Sequence, residues 1–553
     1  MLRTELIRPV HELVRDHARD IPERTAYSDA RRSVSYAELS ARTGRLAGHL
    51  AALGVAPGER VAFVLGNGVS LVESYLATAR ASAVGVPVNP LSSDDELAHL
   101  LADSGAVAVI TDPARIARLT RVAPALTTVL ADEVDPVDWD GPRFEDLATS
   151  PAPEPARDDL GVDDWAFMLY TSGTTGRPKG VRSSTRNSLW TIAACYAPIL
   201  GLSGEDRVLW PLPLHHCLGH HLGTLGVLAV GASAHVTSGF AAEEVLAGLA
   251  AGEFSVLVGV PAMYQELLRA TDADGIVAPG LRLCLTAGAV GGAELPARVE
   301  ARFGAPLIDS YGTTETCGPI TTNWPGGTRV PGSCGLPVPG LSVRLVDPGT
   351  RTDVPVGEDG EVWVRGPNVM AGYHRDPGAT ADALPGGWYR TGDLARRDDH
   401  GYLTVTGRIS ELIIRGGENI HPAEVEQVLL GAPGVLDAAV GPAPDPRLGE
   451  VPVAYLVARD DLDPEEVLRV CREKLAGFRV PTQLRALDAL PRTAAGKVTR
   501  HLLAERPWRL LAEVPTTAEE PAPGADEGRA DGLRASLLPL SRRERHRRLL
   551  GLV

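Results

Sequence analysis

Between residues 35 and 111 the chain switches repeatedly between two hydrophobic periods, and no other feature limits its fold so strongly. Residues 36–53 (YAELSARTGRLAGHLAAL) place apolar side chains three and four apart, with Ser35 at the N-cap position and Gly54 closing the run. The turn Pro57-Gly58-Glu59 leads into a strand-like run at 60–65. Helix-like 69–83, strand-like 84–88, helix-like 94–103 and strand-like 106–111 follow, and similar alternation resumes at 185–310. Helix and strand in this rhythm predict an α/β fold with a largely parallel sheet. From about 330 the texture changes to short alternating runs at 342–346, 360–365, 388–392 and 401–406, which predict antiparallel strands. After Arg408 a smaller α/β unit is expected, with helices at 422–430 and 464–475, a strand at 453–457, and an end near Arg509. Residues 515–532 (PTTAEEPAPGADEGRADG) are acidic and rich in Pro, Ala and Gly, which predicts a linker.

Length and charge narrow the partners. At 553 residues the chain exceeds one ordinary domain. A net charge of −16 argues against nucleic acid, which calls for a basic face. The N-terminus shows no signal-peptide pattern, and the longest apolar run, near 222–236, is broken by glycines and too short for a membrane span. Six scattered cysteines without a C-x-x-C pair suggest neither disulfides nor zinc, so a reducing cytoplasm is expected. Of 54 basic residues only Lys179, Lys474 and Lys497 are lysine, and two of these lie in Gly-rich segments where a compact ammonium would serve chemistry.

The strongest local feature runs from Thr171 through Ser172, Gly173, Thr174, Thr175 and Gly176 to Lys179 and Gly180, after a strand-like run at 165–170. Its glycines let N–H groups turn toward an anion, its hydroxyls add donors and Lys179 adds charge, which suits a polyphosphate. It is not a Walker A loop, because Arg177 and Pro178 separate Gly176 from Lys179 and no Ser or Thr follows. A flexible Gly/Ser/Thr linker is the bland alternative, but it leaves the Arg-Pro-Lys-Gly end unexplained.

Six further motifs stand in order over more than 280 residues: PLHH at 213–216, DSYGTTE at 309–315, YRTGD at 389–393, GR at 407–408, GGENIHP at 416–422 and PRTAAGK at 491–497. With the loop they make the chain resemble the adenylate-forming superfamily of acyl-CoA synthetases, luciferases and peptide-synthetase adenylation domains, from about residue 10 to 505. That resemblance implies a large N-terminal domain (1–408) of two mixed α/β subdomains plus a distorted β-barrel. A small mobile α+β domain (409–509), a linker (510–532) and a helix (533–553) would follow. It implies that ATP and Mg2+ activate a small carboxylic acid as acyl-AMP, with CoA or a carrier-protein phosphopantetheine as acceptor.

The resemblance also implies roles. Glu315 would hold magnesium, a hard cation that leaves its other positions to phosphate and water, and Thr314 would donate to the α-phosphate. Asp309, Ser310, Tyr311, Gly312 and Thr313, with Gly288 and Ala289, would surround adenine. Asp393 would hold the ribose hydroxyls with Arg408 beside it. Lys497 would bridge the attacking carboxylate and the α-phosphate, and His216 would place the carboxylate. Val260, Met263, Ala287, Gly288 and Gly312 would wall the acid pocket. Gly416 and Gly417 would let the thiol arm pass closely. Lys474 is read as a surface residue.

Three features bear on detail. The hinge position holds Ser410, where the family usually has Asp or Lys; a hinge needs only to absorb φ/ψ change. Residues 214–219 hold no acid to pair an α-ammonium, so an acid without an α-amino group is expected. His215, His216, His220 and His221 with Cys217 look like a metal cluster, yet no second ligand group stands at zinc spacing. The tail 533–553 resembles the first helix of an acyl carrier domain, with no Asp-Ser-Leu site following, so a carrier domain of a polyketide loading module is the expected acceptor. A stand-alone ligase using free CoA and an inactive nucleotide-binding homologue are the rivals. A soluble oxidoreductase is disfavoured, since no G-x-G-x-x-G follows the first strand.

Overall fold

The computed structural model describes residues 2–123, 126, 128–131, 139–171, 177–271, 277–288, 292–492 and 498–514. Ser172, Gly173, Thr174, Thr175, Gly176, Ala289, Lys497, most of the expected linker and the 533–553 helix lie outside the described residues. The chain divides into two compact units: Met1–Ser342 with Val364–Tyr389, and Val343–Trp363 with Arg390 and the residues after it. The fold is mixed α/β, as the alternation predicts.

The first unit contains two sheets. In the seven-stranded one, Trp165–Thr171, Val84–Pro87, Arg60–Val64, Ala106–Thr111 and Thr128–Ala131 run parallel, and Lys179–Ser184 returns antiparallel beside Trp165–Thr171. In the nine-stranded one, Leu307–Thr313, Leu283–Ala287, Val256–Gly259, Arg207–Trp210, Ser233–Val236 and Thr25–Ser28 run parallel. The helix expected at 36–53 is Tyr36–Ala52, and Ser35 and Glu38 close a capping box at its start, a device whose loss costs about 1 kcal/mol.

Helix Val69–Arg80 is buried on every side, as an element packed all round must be. Its Tyr75 ring lies 5.2 Å from Phe63 and 6.1 Å from Phe167, both on the seven-stranded sheet, and 5.0 Å from His220, which follows the other sheet's strand Arg207–Trp210. The expected helix 69–83 stops at Arg80, because Ser82 adopts a left-handed φ of 57° that a helix cannot continue through.

The second unit carries a four-stranded antiparallel sheet, Ser342–Val346, Asp359–Arg365, Tyr389–Arg397 and Leu403–Arg408 in that order, which is open over the described residues. A second, six-stranded sheet is built around Val435–Asp445 paired with Gly449–Ala458. Helices Pro422–Leu430 and Pro464–Lys474 pack on one side of it through Val425, Leu429, Val467 and Leu468. The unit continues past the expected end, through strand Arg509–Glu513. Among the described residues no helix is long and apolar enough to cross a membrane.

Candidate active site

Parallel strands must leave a sheet in one direction, so the segments after them gather along one edge, where open α/β sheets bind ligands. Along the nine-stranded sheet, Leu257 pairs with Leu209, Gly259 with Thr286 and Ala287 with Ser310. The segments leaving these strands are therefore neighbours: 211–217, Val260 with the helix bearing Met263, Ala287-Gly288, and Tyr311-Gly312-Thr313. Gly288 has φ 88°, and a Cβ there would lie 4.0 Å from Val260 Cγ1, so two of the expected pocket residues face each other. Met263 packs partly buried against the core.

The 211–217 segment is pinned from the buried helix Val69–Arg80 and from Asn67 just before it. Asn67 Nδ2 donates to Leu212 O at 2.7 Å, Leu214 N donates to Asn67 Oδ1 at 2.9 Å, and the Tyr75 hydroxyl donates to Leu214 O at 3.1 Å. His215 and His216 follow, with ring centroids 4.5 Å apart. Burial, and for His215 also the neighbouring His216, pushes these imidazoles down, His215 to about 3 and His216 to about 4. Both are neutral near pH 7, and the Nε2 atom of each is buried without a protein hydrogen-bond partner. A neutral imidazole with a free ring nitrogen can orient a carboxylate but adds no charge to it.

Glu315 sits in a single tight turn, Thr314–Thr316, after strand Leu307–Thr313. A Cβ on Gly312 would stand 2.2 Å from Gly318 O, so the strand pair closes here only with glycine. Two main-chain carbonyls of the turn are held from 366–374: Met370 N donates to Glu315 O at 2.8 Å and Asn368 Nδ2 to Thr316 O at 2.7 Å. The Tyr373 hydroxyl donates to Glu315 Oε1 at 2.9 Å, and Lys179 Nζ lies 5.0 Å from the centre of the Tyr373 ring. Tyr373 thus joins the lysine of the phosphate-type loop to the carboxylate expected to bind metal. Burial and Glu315 hold its phenol above the usual range, so it stays a donor. Sequence reasoning missed Tyr373 and Asn368; the one visible signal is an aromatic hydroxyl after the turn Ala371-Gly372.

Glu315 is buried, with one oxygen bound by Tyr373. Among the described residues no group of three His, Cys, Asp or Glu could hold a metal ion. A cation here would rest on Glu315 and on substrate oxygens, a ligand set that suits Mg2+ better than cations needing a full protein cage. Asp309 ends in crowded surroundings: burial pushes its carboxyl up to about 7, opposed by the N–H of Ser310. Its main-chain carbonyl accepts from Asn323 N at 3.1 Å, and Ser310 Oγ lies 2.8 Å from Thr322 Oγ1. Thr171 closes the strand before the loop, paired with Lys179.

The remaining expected residues lie in the second unit. Asp393 and Arg408 stand directly opposite each other across two antiparallel strands, with Arg408 Nε 2.6 Å from a buried Asp393 Oδ1. Ser410 occupies the middle of the turn Ile409–Glu411. Gly416 and Gly417 join strands Ile413–Arg415 and Glu418–Ile420 with φ of 57° and 93°. A two-residue hairpin of this kind needs positive φ at both positions, so the turn by itself explains both glycines.

The chain belongs to the AMP-binding enzyme family: residues 14–374 match the AMP-binding enzyme and residues 424–497 its C-terminal domain. Feruloyl-CoA synthase from an Amycolatopsis species is 37% identical over 490 residues, covering 87% of this chain and 96% of its own. Naringenin synthase from Pestalotiopsis fici is 38% identical over 524 residues and covers 90% of this chain, which spans 19% of that relative's length. The crystal structure of ATP-bound MatB from Rhodopseudomonas palustris superposes with a TM-score of 0.83 at 32% identity, over 91% of this chain and 99% of that one.

Proposed function

We propose that the chain is an AMP-forming acid–thiol ligase that activates a carboxylic acid lacking an α-amino group and passes the acyl group to CoA. The observation that carries this reading is the Lys179–Tyr373–Glu315 arrangement in the same unit as His216, which is neutral and whose Nε2 has no protein partner. In the first step a carboxylate oxygen bonds to the α-phosphorus of ATP, the bond to the β-phosphate oxygen breaks, and pyrophosphate leaves. In the second a thiolate attacks the acyl carbon and AMP leaves with the bonding electrons.

Catalysis of the first step consists of bringing two anions together and neutralising them. Lys179 supplies fixed charge at the phosphate loop. Mg2+, held by Glu315, would offset phosphate charge. His216 donates one hydrogen bond that orients the carboxylate, and Lys497 supplies the mobile ammonium between carboxylate and α-phosphate. Asp393 takes the ribose hydroxyls. Ser410 serves as the hinge at the 408/409 boundary.

Free CoA is the favoured acceptor, because the relative of this chain's own length named above is a CoA synthase. A carrier-borne phosphopantetheine, expected from the resemblance of 533–553 to the start of a carrier domain, is the alternative acceptor. The absence of an acidic residue from 214–219 supports an acid without an ammonium.

ATP–pyrophosphate exchange with acetate, octanoate, malonate, benzoate, ferulate and phenylalanine tests the reading. Exchange is expected with at least one plain acid, lost with Lys497→Ala by about 100-fold or more. Strong exchange with phenylalanine alone, or full exchange by Lys497→Ala, would overturn it. Thioester formation with CoA against a holo carrier protein then separates the acceptors.

A further inference from the structure

Strand Lys179–Ser184 presents different side chains on its two faces. Lys179 approaches the Tyr373 ring, while Arg182, three residues on and so on the opposite face, opens into a cleft of about 290 Å³. Asp163, Trp165, Asn187, Val369 and Ala371 also line the cleft, and all of it lies within the first unit. Its volume stands at the low end of the range of ligand pockets, which suits a small molecule.

The polar groups of the cleft are engaged with one exception. Asp163, at the exposed rim, is bound at both oxygens by Arg186, from Nε at 2.5 Å and Nη2 at 2.9 Å. Asn187 Nδ2 donates to Pro367 O at 2.7 Å and Val369 O at 3.1 Å, and its Oδ1 accepts from Ser184 N at 2.9 Å. The exception is Arg182. Among the described residues its guanidinium has no carboxylate partner; it lies 4.8 Å from the centre of the Trp165 ring, with Nε buried and without an acceptor. Stacking on an indole restrains the fork, so less freedom is lost when it takes a ligand. A planar fork matches a carboxylate, and the indole with Val369 and Ala371 offers a flat apolar wall. One cation with Asp163 at the rim suits a single negative charge better than two.

Residues 367–373 form a wall shared by this cleft and the Glu315 turn. On the cleft side, Asn187 holds Pro367 O and Val369 O, and Ala371 N donates to Arg182 O at 3.0 Å. On the other side, Asn368, Met370 and Tyr373 bind Thr316 O, Glu315 O and Glu315 Oε1. A ligand that orders this strip lowers the ordering cost of a second ligand on its far side.

We propose that the cleft binds a small flat monocarboxylate, held by Arg182 against Trp165 and the 369–371 wall, and that its occupancy strengthens the binding of Mg2+ and ATP through the strip 367–373. The site stands on its own geometry; the coupling rests on the role given to Glu315 above.

The test uses the full chain with 5-fluorotryptophan at its eight tryptophans, the Trp165 fluorine resonance being assigned with Trp165→Phe. Benzoate is expected to move that resonance saturably, and benzamide, its neutral counterpart, to leave it in place. Arg182→Gln should raise the benzoate concentration for half the shift about tenfold or more. No shift with benzoate, an equal shift with benzamide, or an unchanged response in Arg182→Gln would each overturn the site. A shift with inorganic phosphate but not with benzoate would overturn the ligand class. The comparison of probes in the wild-type chain carries the test if Arg182→Gln fails to fold. Saturating benzoate should also lower the Kd for α,β-methylene-ATP with Mg2+ about fivefold in the wild type and leave it unchanged in Arg182→Gln. Benzoate seated in the acid pocket would act on both proteins alike, so an equal response of the two would overturn the coupling. Failure of either protein to bind the nucleotide at all would overturn the functional reading and the coupling with it, while the fluorine shifts still decide the site.

Discussion

Tyr373 shows how much one hydroxyl can do. It donates to one oxygen of Glu315 at 2.9 Å, while its ring lies beneath Lys179. Partners of this kind orient a metal-binding carboxylate without touching the metal, and their loss costs about tenfold or more in metal affinity. Tyr373→Phe should therefore raise the Mg2+ concentration for half-maximal ATP–pyrophosphate exchange about tenfold and leave the melting temperature nearly unchanged. An unchanged Mg2+ requirement would remove Tyr373 from the site. His216 makes a second case. Because burial holds it neutral, down to about 4, the role proposed for it would rest on a hydrogen bond rather than a charge. His216→Gln, which keeps a neutral donor, should retain more adenylation than His216→Ala, whose loss should be about 100-fold; equal losses would show that the ring itself is required.

At the scale of elements, the tightest constraint is where strands Leu307–Thr313 and Gly318–Thr322 close on each other. A Cβ at position 312 would meet Gly318 O at 2.2 Å, and main chain cannot rotate away as a side chain can. Gly312→Ala should cost about 1–3 kcal/mol and also lower adenylation, since Tyr311 and Glu315 flank it. Gly326→Ala, with nothing within 4 Å, is the control; chemical denaturation of both variants checks the pair. The helices and parallel strands of 36–111 were legible because one local pattern and one set of caps specify them. Strand Val435–Asp445 (VLDAAVGPAPD) was not, since Pro, Ala, Gly and Asp are poor strand formers. It exists because Gly449–Ala458 pairs along its length, which is context rather than propensity. The same holds for the π-helical stretch Gly219–Gly226. Its glycines read as interruptions of an apolar run, yet Gly223 is where Trp210 packs, 2.8 Å from a would-be Cβ. The motifs themselves are visible for the opposite reason: each is contiguous in the chain. Tyr373 acts on Glu315 from 58 residues away, and no local pattern records such a contact.

For the molecule as a whole, the histidines of 215–221 are a concentrated acid-sensitive group, opposed over part of the same range by Asp309, whose carboxyl burial pushes up to about 7. Burial lowers His215 to about 3 and His216 and His221 to about 4, and it drives His220 well below its ordinary value. His220 lies 4.3 Å from the Phe167 ring and 5.0 Å from Tyr75, with both ring nitrogens unpartnered. His221 keeps one bond, Nδ1 to Cys217 O at 2.6 Å. In the unfolded chain each titrates near 6.5. Between about pH 6.5 and pH 4 the unfolded state therefore binds up to four protons that the folded state refuses. Stability rises with pH wherever the unfolded state holds more protons, so the fold loses stability as pH falls through this window, by up to about 1.4 kcal/mol per pH unit for each group. Above it these histidines contribute no slope. Buried carboxylates paired with arginine would instead lose their contribution at lower pH. The two compact units should melt as separate transitions, and the more acid-sensitive one should be that of the first unit, which holds all four rings, against the single buried His421 lowered in the second. His220→Leu removes two buried unpaired nitrogens at similar volume, a change that is neutral or stabilising when an unsatisfied polar group is replaced. It should raise stability at pH 5 more than at pH 8, measured by urea denaturation at both. An equal shift at the two pH values would mean that the imidazole is hydrated rather than buried, and the pH argument for the cluster would go with it.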